Sequence, residues 1–271
     1  MQNGGLRTRG ITKSSQSDKP LITVVTVVYN GEATLEQTIK SVVNQTYDNV
    51  EYIIVDGGSK DRTLDIIKKY EDKIDYWQSE PDKGIYDAMN KAIDLATGEW
   101  INFMNAGDEF YSDSVITTVF KNRIYNCSVI FGMTNQVFDF GKRIIFPKQM
   151  TKKSKHLEFC HQSCFTNRIV LIEYKYNTKY RICADYDLYH RLLIKGKKFI
   201  FVNQIISTYD NSGGISSNSP CIKYKEEIEI FNSRYQRVKY LLFCMKIYIK
   251  RGIKHIMPKK IIQKYRQIRF L

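Results

Sequence analysis

Leu21 to Gly58 reads LITVVTVVYNGEATLEQTIKSVVNQTYDNVEYIIVDGG, and its periodicity changes twice. Leu21–Asn30 is a near-continuous β-branched run, the pattern of a strand covered on both faces in a parallel sheet. ATLEQTIKSVVNQTY then places Leu35, Ile39, Val42 and Val43 at helical spacing, and VEYIIVD returns to strand. Working outward, KDRTLDIIKKY predicts a helix, IDYWQSE a strand, EPDKGIYDAMNKAID a helix and GEWINFMN a fourth strand. Strand and helix alternate four times, which predicts an α/β fold with a mostly parallel sheet flanked by helices.

The rest of the chain is less regular. SDSVITTVFKNR and CADYDLYHRLLIKGK read as helices, SVIFGMTNQVFDF and KRIIFPK as paired strands, and NSGGISSNSP as a loop suited to a lid. A soft boundary near Ser112 separates two halves of one domain. The first 19 residues are polar and read as a disordered lead. The chain has 271 residues and a net charge of +14, yet Arg234 to Leu271 holds twelve Lys or Arg and no Asp or Glu. Nucleic-acid enzymes carry basic residues along the groove where they work. A basic tail predicts contact with an anionic membrane surface and no nucleic acid. No apolar run is long enough for a spanning helix. The six cysteines read as reduced thiols. His156, Cys160, His161 and Cys164 are close enough for zinc, but no second pair at ligand spacing follows.

Ligands of open parallel sheets bind beyond the carboxyl ends of the strands. Those ends carry Tyr29-Asn30 with Glu32, Asp56-Gly57-Gly58, Glu80-Pro81-Asp82 and Asn105-Ala106-Gly107-Asp108. Caps and turns account for one such end; four on one rim predict a ligand crevice. The chain lacks G-x-G-x-x-G after the first strand and lacks a P-loop, which disfavours both of those nucleotide sites. An acidic rim would accept a diphosphate accompanied by Mg²⁺ or Mn²⁺.

VVYNGE, IIVDGGSKDRT and EPDKGIYDAMNKAI together resemble glycosyltransferase family 2, with the GT-A fold, and within it the colanic acid biosynthesis glycosyltransferases. The resemblance runs from about Pro20 to Ser216. It implies a GT-A domain over residues 20–218, with a nucleotide half over 20–111 and an acceptor half over 112–218. Residues 219–271 then form a basic, amphipathic helical extension. It further implies a donor site for a nucleoside diphosphate sugar, a UDP-sugar by the family's habit, at Tyr29, Glu32, Asp56, Gly57, Lys83, Gly84, Asp87, Asn90 and Asn105. Asp108 aligns with the last acid of the family's D-x-D and is the implied metal ligand, although the stretch reads Asn105-Ala106-Gly107-Asp108 and lacks the motif's other carboxylate. Asp185 aligns with the catalytic base, and Ala184 stands where the motif has Glu. His161, Gln162 and Asp187 fall on the acceptor side.

The activity implied is inverting transfer of a hexosyl or N-acetylhexosaminyl group to a lipid-linked or glycan acceptor in bacterial cell-surface polysaccharide synthesis. The protein would work as a peripheral enzyme on the cytoplasmic face of the membrane. The two missing acids leave a catalytically inactive sugar-nucleotide binder or membrane tether as the alternative. A nucleotidyltransferase would need a glycine-rich, basic loop after the first strand, which YNGEATLEQT is not. In the tail, Leu241, Cys244 and Tyr248 share a helical face, as do Leu242, Met245 and Ile249, with lysines and arginines between them.

Overall fold

In the computed structural model, the described residues are 1–138, 141–148, 159–210, 219–232, 234 and 237–245. The strands are β1 (Gln2–Gly4), β2 (Ile22–Val28), β3 (Val50–Asp56), β4 (Tyr76–Ser79), β5 (Trp100–Phe103), β6 (Glu109–Phe110), β7 (Val129–Phe138), β8 (Gly141–Ile145), β9 (Cys164–Asn167) and β10 (Phe199–Asp210). The helices are α1 (Leu35–Val43), α2 (Thr63–Lys69), α3 (Ile85–Leu95), α4 (Val115–Phe120), α5 (Arg168–Tyr174), α6 (Ala184–Ile194) and α7 (Pro220–Phe231). One sheet runs in the order β1-β4-β3-β2-β5-β9-β7-β10-β6, with β8 paired to β7. β4, β3, β2 and β5 are parallel, and so are β7 and β10; β9 joins the two groups by antiparallel pairing on both sides.

Every residue of β2, β3 and β5 is buried, because both faces of the sheet are covered. Alternate side chains serve opposite layers. Val25, Val27, Ile53 and Val55 pack with α3, α5 and α6, while Val24, Val28, Tyr52 and Ile54 pack with α1, α2 and α4. Full burial of each such aliphatic side chain contributes about 1.5–3 kcal/mol, so strands of this composition are strongly held in register.

The sheet crosses the expected boundary at Ser112 without a break, since β6 from the first half pairs with β10 from the second. β7 and β8 form the expected antiparallel pair.

Two expectations are corrected at the ends of the chain. Residues 1–19 are not a loose lead. β1 extends the sheet along β4, Leu6–Arg9 form a 3-10 turn, and Arg7 reaches the buried Glu51. The cause is electrostatic: two acids under the sheet, Glu51 and Asp75, are 2% exposed and receive their cations, Arg7 and Lys13, from this segment. The extension after residue 218 does not begin as a separate tail either. α7 packs on α6, with Phe231 against Tyr186 and His190. Residues 246–271 and the expected lid over 211–218 lie outside the described residues.

Candidate active site

The carboxyl ends of β2, β3, β4 and β5 face one rim, and the turn after β5 is its centre. Asp108 N–H donates to the Asn105 carbonyl at 2.9 Å, and Gly107 sits at φ +100°, where a side chain would be strained. Thr38 of α1 pins this turn from below. Its hydroxyl donates to the Asp108 carbonyl at 2.8 Å and accepts from Gly107 N–H at 3.0 Å. The turn therefore presents Asn105 and Asp108 in fixed positions, both nearly buried.

Asp185 approaches from the other half of the molecule, in the first turn of α6. Its Oδ1 accepts from Tyr186 N–H at 2.9 Å and lies 3.1 Å from the Tyr86 hydroxyl of α3. That hydroxyl also donates to the Ile182 carbonyl at 2.6 Å. Burial, and then the Asp185 charge, push the Tyr86 phenol well above its ordinary value, so it stays a donor across physiological pH.

The two acids are joined by one 3-10 turn, His161–Ser163. His161 Nδ1 lies 3.2 Å from Asp185 Oδ2, and its Nε2 lies 3.1 Å from Asn105 Nδ2. A neutral ring protonated on Nδ1 satisfies both contacts, donating to Asp185 and accepting from Asn105. The next residue, Gln162, donates from Nε2 to Asp108 Oδ2 at 2.9 Å. Adjacent side chains of a single turn thus bind the candidate base and the candidate metal ligand. Burial, with Asp108 and Asp185 adding negative charge, raises the nearby Cys160 thiol. It remains a neutral neighbour of the acids.

The sequence model for "Glycosyl transferase family 2" matches residues 23–181, more than half of the chain. The chain belongs to glycosyl transferase family 2. The PGL/p-HBAD biosynthesis glycosyltransferase of Mycobacterium bovis is 28% identical over 208 residues, covering 73% of this chain and 80% of its own. The Escherichia coli enzyme WfaP, a UDP-Glc:alpha-D-GlcNAc-diphosphoundecaprenol beta-1,3-glucosyltransferase, is 29% identical over 253 residues, covering 87% and 95%. Among solved structures, S. aureus TarS 1-349 in complex with UDP aligns with a TM-score of 0.59 at 15% identity, over 90% of this chain and 77% of that one. Against a longer TarS chain the protein spans 38% of that chain's length. The mannosyltransferase PcManGT from Pyrobaculum calidifontis, in complex with GDP-Man and Mn2+, aligns at 0.58 and 15% identity, over 77% and 62%. These structural likenesses establish the family's mostly parallel, helix-flanked GT-A architecture.

On the donor side, Tyr29 is 63% exposed at the end of β2, beside Gly57. A Cβ on Gly57 would lie 2.4 Å from Asp82 Oδ2 and 3.4 Å from the Tyr29 ring, so this junction is open only with glycine there. Asp56 is fully buried, and its carboxylate accepts from the hydroxyl and N–H of Ser59 and from Ser79 Oγ at 2.6 Å. Glu32 is exposed and accepts from Arg62 N–H at 3.0 Å, stitching the β2–α1 loop to the β3–α2 loop. Lys83 is exposed; its N–H donates to Asp87 Oδ2 at 3.1 Å, and Gly84 N–H donates to Asp82 Oδ1 at 2.8 Å.

Two of the expected site residues are otherwise engaged. Asn90 does not face an open donor cleft. Its Nδ2 donates to the Tyr176 carbonyl and its Oδ1 accepts from Tyr176 N–H, both at 2.9 Å. The Asn90 amide is glue, because the chain after α5 needs its backbone groups satisfied where it crosses α3. Asp187 binds Arg191 Nε at 2.7 Å, and that guanidinium donates to the carbonyls of Tyr174 and Lys175 at the end of α5, so in this structure its carboxylate braces two helices.

Tyr86 and Glu226 were not singled out by sequence reasoning. Tyr86 sits inside the GIYDAMN motif, so its signal was present. Glu226, on α7, accepts from the N–H groups of Arg181, Ile182 and Cys183 at 2.8, 3.0 and 2.9 Å. It thereby fixes the chain immediately before Asp185. Its only sequence signal is the acidic KEEIE run ahead of a basic tail.

Among the described residues no three His, Cys, Asp or Glu side chains gather as a metal cluster. Of the residues weighed for zinc, His161 turns to Asp185 and Asn105 and Cys164 turns to the Tyr189 hydroxyl, while His156 lies outside the described residues. Mg²⁺ or Mn²⁺ is a different case. Asn105 Oδ1 is buried with no hydrogen-bond partner, on the same turn as the Asp108 carboxylate. One carboxylate and one amide oxygen are hard donors, a set that fits a divalent cation completing its shell with phosphate and water.

Proposed function

We propose that the protein is an inverting transferase that moves a sugar, hexosyl or N-acetylhexosaminyl, from a UDP-sugar to the hydroxyl of a lipid-linked saccharide. The subgroup of colanic acid enzymes, cell-surface polysaccharide synthesis and the cytoplasmic membrane face belong to the same reading. The observation that carries it is the His161–Gln162 turn, which holds Asp185 and Asp108 at one rim. The WfaP name, with its UDP-glucose donor and diphosphoundecaprenol acceptor, supports the choice of donor and acceptor classes.

In this reading the exposed Tyr29 ring offers a face for the base to stack on, while the fully buried Asp56, its carboxylate taken by Ser59 and Ser79, fixes the loop at the end of β3. Asp108, with Asn105 Oδ1 beside it, would hold Mg²⁺ or Mn²⁺. That ion would neutralise charge on the departing diphosphate. Asp185 takes the proton from the acceptor hydroxyl as its oxygen bonds to the anomeric carbon. The bond from that carbon to the diphosphate breaks on the opposite face, and its electron pair leaves with the diphosphate. Opposite faces for entry and departure give inversion. His161 holds Asp185 Oδ2 in place, and Tyr86 holds Oδ1.

Asp185→Asn keeps the shape and removes the base. UDP release from UDP-sugars in the presence of acceptor should fall by about 10²–10⁴-fold, the usual contribution of a general base. The thermal shift produced by UDP should persist. Near-normal turnover in that variant would refute the assignment of Asp185.

A further inference from the structure

Residues 237–245 are helical and pack on α7 through Tyr240 and Phe243, whose rings lie 6.3 and 4.8 Å from that of Tyr224. Lys239 Nζ lies over the same ring at 5.3 Å and 3.8 Å from Glu227 Oε2. This contact fixes which way the segment faces. Val238, Leu241, Leu242 and Met245 stand outward, 46, 60, 60 and 58% exposed. Their spacing of three, four and seven residues puts all four on one stripe of the helix.

An apolar stripe this continuous on a surface helix marks a contact site. Its surroundings select the occupant. Arg234 and Arg237 are exposed beside it, and the chain from Arg234 to the end adds basic residues without a single acid. An apolar strip within a one-signed basic segment complements an anionic lipid surface, where side chains enter the acyl boundary and cations meet head groups. A protein partner or a second copy of this chain would need its own acidic surface opposite that charge. No helix among the described residues is long and apolar enough to cross a membrane, so the stripe would lie in the interface plane.

We propose that the face formed by Val238, Leu241, Leu242 and Met245 docks this protein on an anionic lipid bilayer. The docking helix sits on α7, and α7 grips the residues before Asp185 through Glu226. The docked surface therefore has a fixed relation to the catalytic rim. This inference deepens the membrane-face part of the proposed function, and its test needs no turnover, so it can fail while the transferase reading holds.

The full chain is mixed with phosphatidylcholine vesicles, with or without about one-third phosphatidylglycerol, and floated on a density gradient. Binding should be at least about tenfold stronger to the anionic vesicles, and Leu241→Asn with Leu242→Asn should lose about tenfold of it. A second variant guards against misfolding. Leu241→Trp adds a reporter to a chain whose Trp77 and Trp100 are buried, and its emission should shift to the blue on anionic vesicles. Unchanged flotation of the double variant, or no emission shift, would overturn the proposal. So would a double variant that dissolves a dimer while vesicle binding persists.

Discussion

The two ends of this chain are both basic, and the molecule uses them in opposite ways. At the amino end each key cation meets an acid of the body. Arg7 binds Glu51 and the Leu95 carbonyl, and Lys13 binds Asp75 at 2.9 Å and the Val50 carbonyl at 2.5 Å. At the carboxyl end the body is gripped by an acid, Glu226, and the sequence from Arg234 onward carries twelve Lys or Arg and no acid of its own. Positive charge alone therefore says little about what a terminus does. Buried acids elsewhere in the chain turn the amino end into a strap, whereas among the described residues of the other end Lys239 meets the buried Glu227 and Arg234 and Arg237 stay exposed.

Removing residues 1–13 tests this contrast most severely. It strips the partners from two buried carboxylates and uncovers the edge of β4. A buried pair that loses one member costs about 3–5 kcal/mol, so losing both should leave little of a typical domain's stability. Urea unfolding would show it directly, and a truncated protein as stable as the full chain would break the comparison. Arg7→Met is the milder version, with an expected loss of about 3 kcal/mol at neutral pH.

The Arg7 change also carries a pH signature. Burial pushes the Glu51 carboxyl up, but bonds from Thr23 and Thr97 and the charge of Arg7 outweigh it and hold the group below its ordinary value. A carboxyl depressed by folding stabilises the protein above its unfolded value and loses that contribution as pH falls through the folded value. Arg7→Met should therefore move acid unfolding to higher pH, read by circular dichroism. Glu226→Gln should have the smallest effect on stability, about 1–2 kcal/mol, because one acceptor remains for three donors. Its sharper readout is kinetic: kcat should fall while the KM for donor stays near normal, since the residue positions Asp185 and touches no ligand.

The central sheet was legible because burial on both faces leaves few residue choices for β2 and β3, and the helix after each strand has a clear period. The rim was legible for the same reason: strand ends of a parallel sheet are set by topology. Partners across the sheet were not. Nothing near Asn90 in the sequence announces Tyr176, 86 residues away, yet that contact takes both ends of its amide. The strap was misread because its few apolar residues give no periodic signal. Arg7 is explained by Glu51, and Glu51 looked like an ordinary strand acid in VEYIIVD.

His161 and Gln162 are neighbours on a rigid bend, and each holds one of the two acids. In the proposed reading, the span between the leaving group's berth and the acceptor's is gauged by a caliper of consecutive residues. Loops around the rim can change which sugar enters without disturbing that gap. A lineage of such enzymes could diversify its glycans by editing the jaws' lining while the caliper itself stayed constant.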